Sequence, residues 1–155
     1  MIEEKSVKLQ PFRMSVPPEL IQAYRKADYA VFAHRGSRAE IVFHVGEPNV
    51  DLDELLDGDD AATAAFICPG NRRGRKQSEQ ANADAFLEMN AALSKTSYRR
   101  HAAEGRDPEG EWPPEAAVLI AGIPRAEAEA LGRRFEQNAI VFVERGRAPE
   151  LVLLR

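Results

Sequence analysis

The chain has 155 residues, 44% of them hydrophobic and 30% charged, which suits one soluble domain able to bury a core without staples. Its single cysteine rules out an internal disulfide, and no apolar run is long enough to cross a bilayer, so the expected compartment is the cytoplasm. The formal net charge of -4 excludes wholesale coating of nucleic-acid phosphates, yet the charge is uneven: every charged residue from Glu47 to Asp60 is acidic, whereas Arg72, Arg73, Arg75 and Lys76 are basic.

Residues 1–16 show no sustained period and read as an arm preceding a single domain over 17–155. A helix is expected from Pro17-Pro18, with Glu19 in its first turn and Leu20, Ala23, Tyr24 and Ala27 on one face. Segments 28–33 and 40–45 read as antiparallel strands joined by a turn at Arg35-Gly36-Ser37-Arg38. Their imperfect alternation suggests a sheet covered on one face and partly on the other. His34 and His44 flank that hairpin and His101 follows two arginines, but no third ligand stands at a recognisable spacing, so no metal is expected. The acidic stretch lacks the oxygen-ligand order of a calcium loop. It reads as a solvated excursion in which Leu52, Leu55 and Leu56 anchor a short helical turn.

The apolar run Ala65-Phe66-Ile67-Cys68 breaks at Pro69-Gly70 into the basic loop 71–76 and then a helix over about 78–95. Ser78 is its expected N-cap and Phe86, Met89 and Leu93 its apolar stripe. At 100° per residue Asn82 falls near the centre line of that stripe, so a polar group is aimed inward near the helix start. The unpaired first-turn amides point the same way and could converge with Asn71 and the loop arginines on an anion or polar ligand. The loop lacks the glycine and lysine-serine spacing of a P-loop. Cys68 is a nucleophile candidate if a nearby arginine lowers its pKa, and a buried apolar cysteine otherwise.

Residues 98–102 read as an extended edge segment, followed by a loop over 104–115 constrained by Gly105, Gly110, Pro108, Pro113 and Pro114. Trp112, held between those constraints, either closes the core or faces a ligand. The uncharged run 116–121 is the expected central strand, and Pro124 opens a helix buried through Ala128, Leu131 and Phe135. Strands at 139–143 and 151–154, joined through Gly146, complete an α+β fold, a mostly antiparallel sheet with helices packed mainly on one face.

Three blocks together resemble a known family. Asn71-Arg72-Arg73-Gly74-Arg75 with Ser78 and Asn82, then Gly105-Arg106-Asp107-Pro108 with Trp112 and Glu115, then Arg134-Phe135-Glu136-Gln137-Asn138-Ala139 are similar to the bacterial family of unknown function DUF3293. In that family the first block resembles Asn-Pro followed by a serine and a helix asparagine, the middle one Gly-Arg-x-Pro-x-Gly-x-Trp, and the last Phe-Gly-Gln-Asn-Ala. The resemblance covers roughly residues 18–145. Arg72 stands where the proline is expected and Glu136 where the glycine is expected. The family implies neither an activity nor a partner.

Physically, the blocks are expected to meet at one polar site built from Asn71, Arg72, Arg75, Asn82, Arg106, Asp107, Trp112, Glu115, Gln137 and Asn138. Its amides suit recognition or scaffolding better than proton transfer, and its only acids are Asp107 and Glu115. No catalytic residue and no cofactor follow from these residues. The leading reading is a site for a small anionic, nucleotide-like ligand, in which Arg72, Arg75 and Arg106 hold anions and Asn71 and Asn82 set orientation. The alternative is a protein or nucleic-acid interaction module using Arg72, Arg73, Arg75, Lys76, Arg99 and Arg100 as a surface patch.

Overall fold

The computed structural model describes residues 16–33 and 40–155. Residues 1–15 of the expected arm over 1–16, His34 and the turn at 35–38 lie outside the described residues. In chain order the elements are α1 (Pro18–Lys26), β1 (Asp28–Val31), β2 (Ile41–Phe43), α2 (Val50–Gly58), β3 (Thr63–Ile67), a 3-10 turn (Arg72–Gly74), α3 (Glu79–Leu93), β4 (Arg99–Arg106), β5 (Glu115–Ala121), α4 (Arg125–Arg134), β6 (Ala139–Glu144) and β7 (Glu150–Leu153). The strands form one seven-stranded sheet in the order β2-β1-β4-β5-β3-β6-β7, and every pairing is antiparallel. The architecture is α+β, as the short connections imply. Among the described residues no helix is long and apolar enough to cross a membrane.

Strand alternation sorts the core onto two faces. Ala64 and Phe66 of β3 point to one side, packed with Tyr29, Phe43 and the α2 leucines. Ala65 and Ile67 point to the other, packed with Met89 and Leu93 of α3 and with Ala128 and Phe135 at α4. The two longer helices therefore share one face, and the shorter α2 lies on the opposite one. On that opposite face Tyr29 stacks on Phe43 at 5.4 Å between ring centres and meets Phe66 edge-on at 4.9 Å.

The acidic excursion is more than a single turn. Asn49 accepts the Leu52 amide at 2.9 Å, capping a nine-residue helix whose Leu52, Leu55 and Leu56 are buried. Its acids are also in use: Asp53 accepts the Gly146 amide, and Asp59 meets His101 Nε2 at 2.7 Å. The expected edge segment at 98–102 is corrected too. β4 runs eight residues through the sheet between β1 and β5. Its charges misled the sequence reading because they find partners at the flanks: Arg100 donates to the Asn90 carbonyl and side chain on α3, and His101 pairs with Asp59. Alanines and Gly105 then let the rest of the strand lie centrally.

Candidate functional site

Asn71 is the hinge of the site. It follows β3 at the Pro69-Gly70 break and adopts a left-handed conformation, φ 46° and ψ 57°, which asparagine tolerates better than most residues. Its amide donates to Asn82 Oδ1 at 2.8 Å, and its own Oδ1 accepts from Asn82 Nδ2 at 3.0 Å and from the Gln77 amide at 2.9 Å. Asn82 is inward-facing, as its place on the α3 stripe predicts, and its role is to lock the loop. Gly70 is required beside it, because a Cβ there would stand 2.6 Å from Asn82 Oδ1. Ser78 caps α3 by accepting the Ala81 amide at 3.1 Å.

The third block holds the same loop from the other side. Gln137 Nε2 donates to the Gly70 carbonyl at 2.9 Å, and the Glu136 carbonyl accepts the Arg73 amide at 2.8 Å. Asn138, 2% exposed, donates to the Tyr24 hydroxyl at 3.1 Å and accepts from Arg155 at 2.7 Å. Gly74 packs against it: its φ is +73°, and a Cβ would lie 2.9 Å from Asn138 Nδ2. Tyr24 was not among the expected site residues, and Cys68 was expected only as a nucleophile candidate or a buried apolar cysteine. Local sequence places Tyr24 only on the apolar face of α1, and nothing in it reports a partner 114 positions away.

The two departures from the DUF3293 pattern meet each other. Arg72 Nη1 lies 3.4 Å from Glu136 Oε2, and Arg73 reaches the same carboxylate at 2.9 Å. Glu136 has φ 54°, the left-handed region that explains why a glycine suits this position. Glu136→Gly is expected to relieve that backbone strain at the loss of half-exposed ion pairs, a net gain of up to about 1 kcal/mol in denaturant unfolding.

Glu115, at the start of β5, completes the junction. Its Oε2 accepts from Asn71 Nδ2 at 3.1 Å, and the Cys68 thiol also donates to it. Burial pushes the Glu115 carboxyl above the usual range, partly offset by the hydrogen bonds from Asn71 and Cys68. Cys68 is therefore not activated. Burial and then the Glu115 carboxylate push its thiol well up, the opposite of what a nucleophile near an arginine requires.

The raised Glu115 carboxyl has a pH consequence. A carboxyl whose folded pKa exceeds its unfolded one binds more protons in the native state. The stability it contributes is present below the unfolded pKa and is lost as pH rises through the folded one. Glu115→Gln is expected to flatten that part of the stability curve, measured by denaturant titration from about pH 4 upward.

A cleft of about 720 Å³ opens at this junction, between α1 and the sheet face carrying Tyr29 and Phe66. Asn71, Gln137, Glu115 and Cys68 line it, together with Arg106 at the end of β4 and Asp107 and Trp112 of the β4–β5 loop. Arg72, Arg75, Asn82 and Asn138 do not line it. Arg72 turns to Glu136 and to Glu88 on α3, lying over the Phe135 ring, and Arg75 is exposed. Asn82 and Asn138 act from behind, through Asn71 and Tyr24.

Arg106 is already paired within the chain: its Nη atoms hold Glu40 at 2.9 and 3.0 Å and its Nε holds Glu104 at 2.6 Å. A register of alternating side chains places Glu104 and Arg106 on the same side of β4, a closeness that sequence spacing allows but does not select. Asp107 is committed to its own loop, accepting the amides of Glu109, Glu111 and Trp112 at 2.9, 2.9 and 3.2 Å. Trp112 remains 46% exposed, so it does not close the core. Among the described residues no group of three His, Cys, Asp or Glu side chains could hold a metal ion.

Comparison with curated proteins and with solved structures gives no match. The family model described as protein of unknown function DUF3293 matches residues 67–140, the segment running from the end of β3 to the start of β6. That span contains Asn71, Asn82, Glu115, Gln137 and Asn138, the residues that assemble the junction, and over it the chain matches the DUF3293 family.

Proposed function

We propose that this chain is a cytoplasmic protein whose cleft binds a small polar ligand at the Asn71–Glu115 junction. The observation that carries the reading is the convergence of three separate sequence blocks on one cleft of about 720 Å³, within the size range of small-molecule sites. Asn71 is held rigidly by Asn82, so its side-chain position is preorganised rather than induced. Trp112, half-exposed on a loop fixed by Asp107 and lining the cleft, would cover a ligand there. An anionic or nucleotide-like end would meet Lys76 at the cleft wall, since the Arg72 and Arg106 guanidiniums already face carboxylates. The same pairing weakens the alternative of a nucleic-acid or protein interaction patch, because Arg72 and Arg73 share Glu136 and Arg100 is bonded to Asn90.

The test is a thermal-shift and NMR screen against metabolites that include nucleotides and phosphorylated compounds. A binder is expected whose affinity is lost in Ala23→Phe, which fills the cleft from the half-buried face of α1, and reduced in Trp112→Phe. Binding indifferent to both substitutions in folded protein would place the site elsewhere and overturn the proposal.

A further inference from the structure

Glu115 is an unusual floor for this cleft. Cys68, just past β3, Tyr24 from α1 and Tyr29 from β1 line the cleft with it, and all three are neutral when protonated. The hydrogen bonds of Glu115 come from the Asn71 amide and the Cys68 thiol, and it forms no ion pair with a lysine or arginine among the described residues. The nearest cation in its own sequence block, Arg106, is held away by Glu40 and Glu104. A carboxylate has room for about four hydrogen bonds, so the two donors leave acceptor capacity facing the cleft.

The rest of the lining mixes charged side chains, Glu19, Lys26, Lys76, Glu109 and Glu111 among them, with aromatic and aliphatic ones. Tyr29, Phe66, Val141 and Leu151 form the sheet side, and Leu20 and Tyr24 the helix side, with Trp112 at the mouth. A half-buried carboxylate with no counterion among the described residues is costly, and a ligand that supplies one recovers part of that cost while its body buries apolar surface. Aromatic faces add attraction for a cation as it is desolvated. A neutral donor would satisfy a lone pair but leave the charge uncompensated. An anion would meet Glu115 with repulsion.

Building on the proposed ligand site, we infer that the ligand group reaching the cleft floor is an organic ammonium on an apolar body, ion-paired with Glu115. The inference assigns the inner end of the ligand and is compatible with a polar or anionic outer end beside Lys76. Asn71 then positions the carboxylate through its Nδ2 hydrogen bond, and Trp112 covers the apolar body.

The lone tryptophan of the chain makes Trp112 fluorescence a direct reporter. Full-length protein is titrated with phenethylamine, phenethyl alcohol and phenylacetate, three probes that share a ring and differ in the terminal group. Phenethylamine is expected to bind about tenfold or more tightly than either of the others, and Glu115→Gln to remove that preference of amine over alcohol. Glu115→Asp, which keeps the charge, is expected to retain part of the preference, and circular dichroism establishes that both variants fold. A purely structural Glu115 would alter stability without changing the ranking of amine over alcohol. Equal binding of amine and alcohol, or an amine preference that survives Glu115→Gln, overturns the ammonium assignment and leaves the cleft reading in place. Failure of all three probes while the metabolite screen yields a cleft binder has the same effect. Failure of both experiments overturns the cleft reading itself.

Discussion

Replacing Phe135 by alanine is expected to cost about 3–5 kcal/mol of unfolding free energy, the largest single-residue effect in the site region. Phe135 is fully buried at the C-terminal end of α4, in the cluster with Met89, Leu93 and Ile140. Its ring lies beneath the guanidiniums of Arg72 and Arg134, at 5.7 and 5.6 Å from their central carbons to its centre. Its carbonyl accepts from Gln137, the residue that also holds the Gly70 carbonyl. Truncation therefore leaves a cavity and loosens the support under the 70–76 loop. Urea unfolding monitored by circular dichroism reads the stability loss. A cost below about 1.5 kcal/mol would show that the site collapses around the gap and that the ring is not a keystone.

Asn82→Leu is expected to cost about 1–3 kcal/mol and to fall on the loop rather than on the helix. The substitution removes the acceptor for the Asn71 amide and one donor to Asn71 Oδ1. It also presses a branched side chain toward Gly70, where Asn82 already stands close. α3 keeps its Ser78 cap and its buried Ala85, Met89 and Leu93 face, so helical content is expected to persist. Amide hydrogen exchange should quicken at residues 71–77 while residues 85–93 stay protected. Uniform loss of protection through α3 would mean instead that Asn82 stabilises the helix.

The sequence carried much of the local structure and the identity of the junction residues. Ser78, the stripe of α3 and the inward Asn82 followed from a period of 3.6 and a capping residue. The uncharged run in β5 identified a strand that does pair on both sides. The three family-like blocks marked Asn71, Gln137 and Glu115, which do come together at one place. The errors lay where charge stood in for position. Arg99, Arg100 and His101 made β4 look like an edge, and the acids of 47–60 made α2 look like a solvated excursion.

By itself, then, the sequence determined the mostly antiparallel α+β class, the Ser78 cap of α3, the break of the chain at Pro69-Gly70 into the Asn71 loop and the set of polar residues gathered near it. These depend on backbone preference and on side-chain periodicity, which are properties of a few neighbouring residues. Only the tertiary structure decided how the charges are spent. It gave Arg72 to Glu136 and Arg106 to Glu40 and Glu104, turned Asp107 onto its own loop, and left Glu115 beside Cys68 and Asn71 at the cleft floor. The reason is physical: an ion pair forms with whichever opposite charge the folded chain brings within a few ångströms, and partners 64 or 66 positions apart, as in Arg72–Glu136 and Arg106–Glu40, leave no local mark in the sequence.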